Sequence, residues 1–210
     1  MTRRTWAVLT PALLGLLTLS TGGRMAADDE YQKIYYVRVG DKAPDFEALD
    51  DKGQKWKLSQ HVGKKIIVVY FYMGDFFPND IKQAAAYRDE MKKLRTEGAE
   101  VVGISGDSVA NHRLFKETYN LNYTLLADPP GKIGEVYGVA MSGGGEFKIK
   151  DTEGNPITIT RGSTPARWTF VIGRDGKVIY KNDNITKPAQ DPRDVLAAII
   201  KYKASQKERR

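Results

Sequence analysis

Apolar residues come in three unbroken runs along the middle of the chain, and these runs predict buried β-strands. The longest is Lys65 to Tyr72, in which four β-branched residues precede three aromatic ones. Shorter runs follow at Glu100 to Ser105 and at Thr124 to Ala127. A strand that is apolar on both sides of its pleat lies in a sheet covered on both faces. The pattern therefore places a covered sheet at the centre of the fold.

Between and after these strands, apolar residues recur at spacings of three and four, which is the period of a helix. This pattern predicts a helix from Asn79 to Thr96. The apolar residues of its inward face are Ala84, Tyr87, Met91 and Leu94. A second helix is predicted up to Tyr119, with Ser108 as its N-cap. A short helix ending near Gly138 and a last helix starting near Asp191 follow.

Two hairpins flank these alternating strands and helices. The first joins Phe46 to Leu49 with Gln54 to Leu58, through a turn that uses Gly53 in the left-handed conformation. The second joins Trp168 to Ile172 with Lys177 to Tyr180. Buried strands alternating with helices require a largely parallel sheet, and the late hairpin adds antiparallel strands at one side. We expect an α/β fold, a thioredoxin-like α/β/α sandwich with a mixed central sheet.

Two segments have weaker patterns. Tyr31 to Val39 is rich in apolar residues and is expected to form a strand or to pack across the domain. Met141 to Pro165 is rich in Gly, Thr and charged residues, so we expect an irregular segment with a small hairpin at Glu153 to Asn155. Within it, Gly143 to Gly145 lacks the strand-to-helix context of a phosphate loop and is expected to be a flexible turn.

The N-terminus has the organisation of a secretory signal. Arg3 and Arg4 precede the apolar run Trp6 to Leu19, and small residues follow at the expected cleavage point. The run is shorter than the roughly 20 residues of a membrane span, so we expect cleavage, with retention as an anchor as the alternative. We therefore expect a periplasmic or extracellular protein. Its expected parts are a signal peptide (1–23), a leader (24–37), one domain (38–203) and a basic tail (204–210).

The charge distribution argues against nucleic-acid binding. The formal net charge is +7, but two of the positive charges are Arg3 and Arg4, and most other cations alternate with acidic residues. No basic and aromatic cluster of the kind that follows a nucleic-acid backbone is present in the sequence. The exception is Lys201 to Arg210, which is interpreted as a solvated helix end or as a contact for an acidic partner or membrane surface.

The chain contains no cysteine and only two histidines, His61 and His112. Without cysteine, the chain can form no disulfide and perform no thiol chemistry of its own. Two histidines cannot supply a zinc site built on three of them. We therefore expect no metal and no cofactor, with His112 packed on its helix and His61 at the surface.

Several motifs occur in a specific order along the chain. They are Val39 to Phe46, Tyr70 to Tyr72 with Asp75 and Pro78, Tyr87 to Asp89, the spacing of Ser108, His112, Phe115, Tyr119, Leu125, Leu126 and Asp128, and Arg167 to Ile172. Together they resemble the peroxiredoxin family, also called alkyl hydroperoxide reductase/thiol-specific antioxidant. The resemblance is to its bacterioferritin-comigratory, or peroxiredoxin Q, subgroup, and it spans roughly residues 38 to 200.

The resemblance implies a thiol peroxidase, but the residues that perform this chemistry are absent. The family pattern is Thr, Pro, one further residue and then the peroxidatic Cys in the first turn of a helix. This chain has Phe77, Pro78, Asn79 and Asp80 at those positions. The resolving Cys of many subgroup members corresponds to Ala85, and the active-site arginine of the family corresponds to Arg167. We therefore expect no catalytic residue at this degenerate site.

The substituted residues suggest structural roles. We expect Asp80 to keep a negative charge at the helix N-terminus and to pair with Arg167 as a modest anchor, contributing about 0.3–1 kcal/mol. Phe77 replaces a small hydroxyl residue, so its ring is expected to fill part of the peroxide pocket. The alternative is that Phe77 and Phe76 form an apolar patch for a partner or ligand.

The leading functional hypothesis is an exported, non-catalytic binding or structural module of the peroxiredoxin type. A protein partner is expected at the former active-site face, and a homodimer is left open. The alternative is an antioxidant oxidoreductase of the same fold that relies on a partner thiol or a bound cofactor.

Overall fold

The computed structural model describes residues 36–150 and 154–208. The expected signal peptide and most of the expected leader lie outside these residues. The strands are β1 (Glu47–Asp50), β2 (Lys55–Lys57), β3 (Ile66–Phe71), β4 (Ala99–Ser105), β5 (Thr124–Ala127), β6 (Met141–Lys150), β7 (Pro156–Pro165), β8 (Trp168–Ile172) and β9 (Val178–Asn182). The helices are α1 (Pro78–Thr96), α2 (Val109–Tyr119), α3 (Lys132–Val136) and α4 (Asp191–Glu208), with 3-10 turns at Leu58–Gln60 and Pro188–Gln190.

Seven strands form one mixed sheet in the order β2-β1-β5-β4-β3-β8-β9. Strands β3, β4 and β5 pair in parallel, and these are the three strands that the apolar runs predict. The pairings β1–β2, β1–β5, β3–β8 and β8–β9 are antiparallel. The expected α/β class with a mixed central sheet is confirmed, and parallel pairing is confined to the middle of the sheet.

Strand β3 shows how the sequence pattern builds two core layers. All six of its residues are buried. Val68 and Tyr70 pack on the face covered by α1, α2 and α4. Ile67, Val69 and Phe71 pack on the opposite face with α3 and the chain segment before β1. Because each large apolar side chain contributes about 1.5–3 kcal/mol when fully buried, these layers are the main source of stability in a chain without disulfides.

A buried carboxylate connects α1 to α4 and to the sheet. Asp191, the first residue of α4, accepts hydrogen bonds at Oδ2 from Tyr87 Oη (2.7 Å), Gln83 Nε2 (3.0 Å) and Thr169 Oγ1 (2.8 Å). Tyr87 and Gln83 belong to α1, and Thr169 belongs to β8. These bonds fix α1 along its axis and so position its first turn, where the candidate site lies.

The local signals at two predicted turns agree with the structure. Gly53 has a φ of 78°, which allows the turn between β1 and β2. Ser108 caps α2, and its hydroxyl accepts a hydrogen bond from the backbone N–H of Asn111.

The segment from Met141 to Pro165 is more regular than expected. Strands β6 and β7 form a two-stranded antiparallel hairpin separate from the main sheet, in which Phe147 lies opposite Ile159. The prediction of a flexible turn at Gly143 to Gly145 was wrong, because these glycines lie within β6. Gly144 is required there, since a Cβ atom would lie 2.0 Å from the carbonyl oxygen of Arg161.

Two other predictions concern the ends of the domain. Of the strand expected at Tyr31 to Val39, residues 31–35 lie outside the described residues, and residues 36–39 do not form a strand. Helix α4 continues to Glu208, so residues 204–208 of the expected tail belong to a helix. In the described part of the chain, we find no helix with the length and apolarity needed to cross a lipid bilayer.

Candidate degenerate active site

The first turn of α1 holds a buried carboxylate. The helix begins at Pro78, a residue that suits this position because it needs no hydrogen-bond acceptor for an N–H group. Asp80 lies in the first turn, where free backbone N–H groups favour an anion, and its side chain is fully buried. Its Oδ1 atom lies 2.6 Å from Nε of Arg167, so the ion pair expected from the sequence is present.

This pair is more deeply buried than a surface salt bridge. Arg167 lies in the connection between β7 and β8, and its side chain is 18% exposed. Burial raises the pKa of the Asp80 carboxyl above its usual value, and the hydrogen bond and charge of Arg167 only partly offset this effect. The second oxygen, Oδ2, is buried and has no hydrogen-bond partner among the described residues. Arg167 is therefore the main group that makes a buried charge at Asp80 tolerable.

The other positions of the former thiol site contain no reactive group. Ala85 is partly buried on α1 and presents only a methyl group. Phe77 immediately precedes the helix as its N-cap residue, and its side chain makes no capping hydrogen bond. The structure thus brings Asp80 and Arg167 into contact, whereas Ala85 only fills space.

The ring of Phe77 is covered by the β6–β7 hairpin. Phe77 is partly buried and lies edge-on to Phe147 of β6, with ring centroids 5.3 Å apart. The guanidinium carbon of Arg161, from β7, lies 4.5 Å from the Phe77 ring and 4.7 Å from the Phe147 ring. These contacts agree with the interpretation that the ring of Phe77 fills part of the peroxide pocket, because one cation of the same chain packs against both rings.

Arg161 is the residue that our sequence reasoning missed. Its side chain is fully buried, Nε donates to Asp107 Oδ2 (2.9 Å), and Nη2 donates to the carbonyl oxygen of Asp75 (3.1 Å). Its Nη1 atom is buried without a partner among the described residues. One signal could have revealed it, since Arg161 is two residues after Ile159 and therefore faces the same side of the strand.

A buried cluster of charges surrounds this arginine. His112 lies between two acceptors, with Nδ1 2.9 Å from Asp75 Oδ2 and Nε2 3.1 Å from the carbonyl oxygen of Leu126. Tyr72 Oη donates to Asp75 Oδ1 (2.8 Å). Asp107 also accepts a hydrogen bond from the backbone N–H of Asp75 (2.9 Å). We refer to Asp75, Asp107, His112 and Arg161 as the buried charge cluster.

The hydrogen bonds define where the protons in this cluster lie. A backbone carbonyl can only accept, so Nε2 of His112 carries a proton, and a further proton is shared between Nδ1 and Asp75. Burial alone would lower the pKa of His112, but the neighbouring Asp75 and Asp107 carboxylates outweigh it and the net shift is upward. Because His112 and Asp75 share this proton, their charges cancel, and Asp107 is paired in turn with Arg161.

Gly74 makes room for the cluster. Its φ is 155°, and a Cβ atom there would lie 1.8 Å from the guanidinium carbon of Arg161. Any side chain at position 74 would therefore displace the arginine. Glycine at this point of the loop is a condition for burying Arg161.

His61, the second histidine, lies outside the buried charge cluster. His61 is partly buried, stacks on Trp56 with ring centroids 4.5 Å apart, and contacts Glu100 through Nδ1 at 3.0 Å. Among the residues that the structure describes, no group of three or more acidic or histidine side chains is arranged to hold a metal ion.

The fold and the site together define a class of protein. A seven-stranded mixed sheet between helices, with an arginine facing the first turn of α1, is the arrangement of a thioredoxin-like peroxiredoxin. A sequence model of the AhpC/TSA family matches residues 39–181, and the chain belongs to this family.

The curated proteins that resemble this chain are peroxiredoxins. The chain is 38% identical over 152 residues to the chloroplastic peroxiredoxin Q of Oryza sativa subsp. japonica, covering 72% of this chain and 62% of that protein. It is 39% identical over 148 residues to the chloroplastic peroxiredoxin Q of Arabidopsis thaliana, covering 70% and 60%. The chain thus spans about three fifths of the length of these relatives.

Solved structures show the same fold. Peroxidoxin BcpB from Mycobacterium tuberculosis superposes with a TM-score of 0.65 at 28% identity, covering 78% of this chain and 97% of that one. Peroxiredoxin Q from Xanthomonas campestris (structure F4) superposes with a TM-score of 0.61, covering 78% and 94%; at 21% identity it supports the fold alone.

Proposed function

We propose that this protein is a non-catalytic member of its family that acts as a binding or structural module. The observation that carries the proposal is the ion pair between Asp80 Oδ1 and Arg167 Nε, at the helix position where the family resemblance expects a thiolate. The fold and the arginine are retained, while the reacting atom is replaced.

The chemistry of the replaced atom supports this proposal. A thiolate attacks a peroxide oxygen because sulfur is polarisable and can become a sulfenic acid, which a second thiol then reduces. A carboxylate has no corresponding oxidation state to pass through. Since the sequence contains no cysteine at any position, no residue of the chain can supply the thiolate that this cycle needs.

The surroundings of the former site support it as well. Phe77, Phe147 and Arg161 occupy the space next to the first turn of α1. A peroxide that approached Asp80 from this side would have to displace a buried arginine paired with Asp107. The hairpin thus covers one side of the first turn of α1, where a peroxidase needs access for its substrate.

The experiment that tests the proposal is a peroxide-consumption assay on the purified, metal-free chain from residue 24 onward. Dithiothreitol and thioredoxin serve as electron donors, and a cysteine-bearing peroxiredoxin Q is the positive control. We expect no consumption above buffer beyond slow methionine oxidation, which is limited to one equivalent for each of the four methionines from residue 24 onward. Catalysis would instead consume many equivalents per chain.

Rapid multiple turnover of hydrogen peroxide would contradict the proposal. It would favour the alternative of an oxidoreductase supplied by a partner thiol if the activity needed thioredoxin. Activity in dithiothreitol alone, lost on dialysis, would favour the alternative of a bound cofactor.

We further propose export, on the basis of residues 1–23 and their signal-like organisation. Expression of the full chain followed by fractionation and N-terminal sequencing tests this. A mature N-terminus close to residue 24 in the exported fraction supports it, and an intact Met1 in the cytoplasmic fraction contradicts it.

A further inference from the structure

A cavity lies at the end of the sheet opposite the first turn of α1. Its volume is about 490 Å³, within the range of small-molecule sites. It is lined by the first residues of β4 and β5, by Lys65 just before β3 and by Arg95 near the end of α1. Asp80 and Arg95 are 15 residues apart on this helix, which corresponds to about 22 Å along its axis. The cavity is therefore separate from the degenerate active site.

Four basic side chains from four different segments line this cavity. Lys52 belongs to the turn between β1 and β2, Lys65 precedes β3, Arg95 lies on α1, and Lys116 lies on α2. A cation in the last turn of a helix is ordinary, and Arg95 and Lys116 both occupy such positions. Lys52 and Lys65 belong to loops, so helix ends alone do not explain why the four cations converge.

Two of these cations are held in place by the protein itself. Lys116 Nζ lies 2.9 and 2.8 Å from the two carboxylate oxygens of Asp51. Asp51 is buried and also accepts a hydrogen bond from the backbone N–H of Leu125 (2.9 Å). Nη2 of Arg95 donates to the carbonyl oxygen of Asn122 (2.6 Å). These contacts position both cations before any ligand arrives, and a pre-organised site loses less entropy on binding.

The other two cations lack a counter-charge on the protein. Lys52 and Lys65 are exposed, and neither forms an ion pair with another described residue. Of the described residues that line the cavity, Glu100 is the only acid, and both of its carboxylate oxygens are engaged. Trp56 Nε1 donates to its Oε1 atom (3.3 Å), and His61 Nδ1 lies 3.0 Å from its Oε2 atom. The cavity therefore has an excess of positive charge, which a bound anion would balance.

We propose that this cavity binds a compact anion with two linked phosphate groups, either free pyrophosphate or the diphosphate end of a nucleotide. Lysine ammonium groups bind phosphate as point charges, and arginine donates to it from a planar fork. Because the four cations come from four segments around the cavity, two linked phosphates can pair with more of them than one phosphate can. The inference goes beyond the proposed function and does not depend on it, since the site lies at the opposite end of α1.

The test measures binding of pyrophosphate to the chain from residue 24 onward by calorimetry, at low ionic strength and without divalent cations, which pyrophosphate would chelate. We expect saturable binding at one site, about 10-fold tighter than that of orthophosphate and weakened by added salt. Citrate binding as tightly as pyrophosphate would overturn the ligand class. ADP distinguishes the two sources of the diphosphate group: affinity equal to that of pyrophosphate supports a nucleotide, and weaker binding supports the free anion.

Matched variants locate the site. Lys52→Gln/Lys65→Gln removes two exposed charges without breaking an ion pair, so the fold should persist and pyrophosphate should bind about 10- to 100-fold more weakly. Lys132→Gln/Lys148→Gln removes two exposed lysines outside the cavity and gives the same net charge, so it should leave binding unchanged. Arg95→Gln should weaken binding as well. Circular dichroism verifies the fold of each variant.

Three outcomes would overturn the inference. The first is an absence of saturable pyrophosphate binding to the wild type. The second is unchanged binding in Lys52→Gln/Lys65→Gln. The third is an equal loss of affinity in the two double variants, because the effect would then be one of net charge alone. Each of these outcomes leaves the proposed function standing, which peroxide turnover would defeat whether or not pyrophosphate binds.

Discussion

At the scale of single residues, the exchange of sulfur for a carboxylate has a structural consequence. A buried thiolate site depends on nearby positive charge, and Asp80 uses the same surroundings through its 2.6 Å contact with Arg167. The sequence predicts this pair from the helix N-terminus and from the family resemblance. It does not predict the depth of burial of Asp80, and removal of one partner from a buried pair costs more than removal of a surface charge.

Because His112 and Asp75 share a proton in the folded protein, the free energy of unfolding depends on pH. The folded-state pKa of His112 is raised, so its stabilising contribution is complete below the ordinary value near 6.5 and is lost as pH rises through the folded value. Burial also raises the pKa of Asp128, to about 6, which acts in the same direction at lower pH. Burial raises the pKa of the Asp75, Asp80 and Asp191 carboxyls as well, so a variant, and not the pH range alone, identifies the histidine.

We expect the unfolding free energy to fall between pH 7 and pH 9, with a slope of up to about 1.4 kcal/mol per pH unit for one proton. His112→Gln should remove this slope, because glutamine does not titrate. His61→Asn, which changes the other histidine, is the control and should keep it. Urea denaturation at several pH values measures all three proteins. A His112→Gln protein with the wild-type slope would show that another group is responsible.

At the scale of secondary-structure elements, the sequence was most informative where strands are apolar throughout. Strands β3, β4 and β5 were predicted to within one or two residues, because burial on both faces leaves a continuous apolar signal. The sequence predicted a small hairpin at Glu153 to Asn155 but not the two ten-residue strands β6 and β7 on either side of it, because most of β6 is exposed and its glycines resemble a loop. On that strand, Phe147 and Ile149 pack against one core layer and Met141 against the other.

The hairpin contributes Arg161, so its attachment to the domain should depend on the pair with Asp107. We expect Arg161→Met to destabilise the protein by about 3–5 kcal/mol, since it leaves a buried carboxylate without its partner. Hydrogen exchange of the β6 and β7 amides should increase more than that of β3. Denaturation and exchange mass spectrometry measure the two effects.

Two further variants control for this prediction. Arg174→Met changes an exposed arginine and should shift stability by less than about 0.5 kcal/mol. Asp107→Asn/Arg161→Met removes both charges and should recover part of the loss. If Arg161→Met behaves like Arg174→Met, the buried charge cluster does not hold the hairpin.

At the scale of the whole molecule, the fold was predictable from the sequence, and the contacts around Phe77 were not. The order of buried strands and amphipathic helices specifies a sandwich, and the absence of cysteine excludes thiol chemistry. The contacts beside the first turn of α1 join Phe77, Phe147 and Arg161, which are up to 84 positions apart in the sequence. Strand alternation can place Arg161 on the inward face of β7, but no sequence pattern identifies the distant residues that it contacts.

A double-mutant cycle on Asp80 and Arg167 tests the central claim most directly, namely that a carboxylate anchors the fold where the family has a thiolate. Unfolding free energies are measured for the wild type, Asp80→Ala, Arg167→Ala and the double variant. We predict that Asp80→Ala destabilises the protein and that the two residues are coupled by roughly 2 kcal/mol, within the range for contacting pairs. A coupling below about 0.3 kcal/mol, or an Asp80→Ala protein more stable than the wild type, would contradict the account.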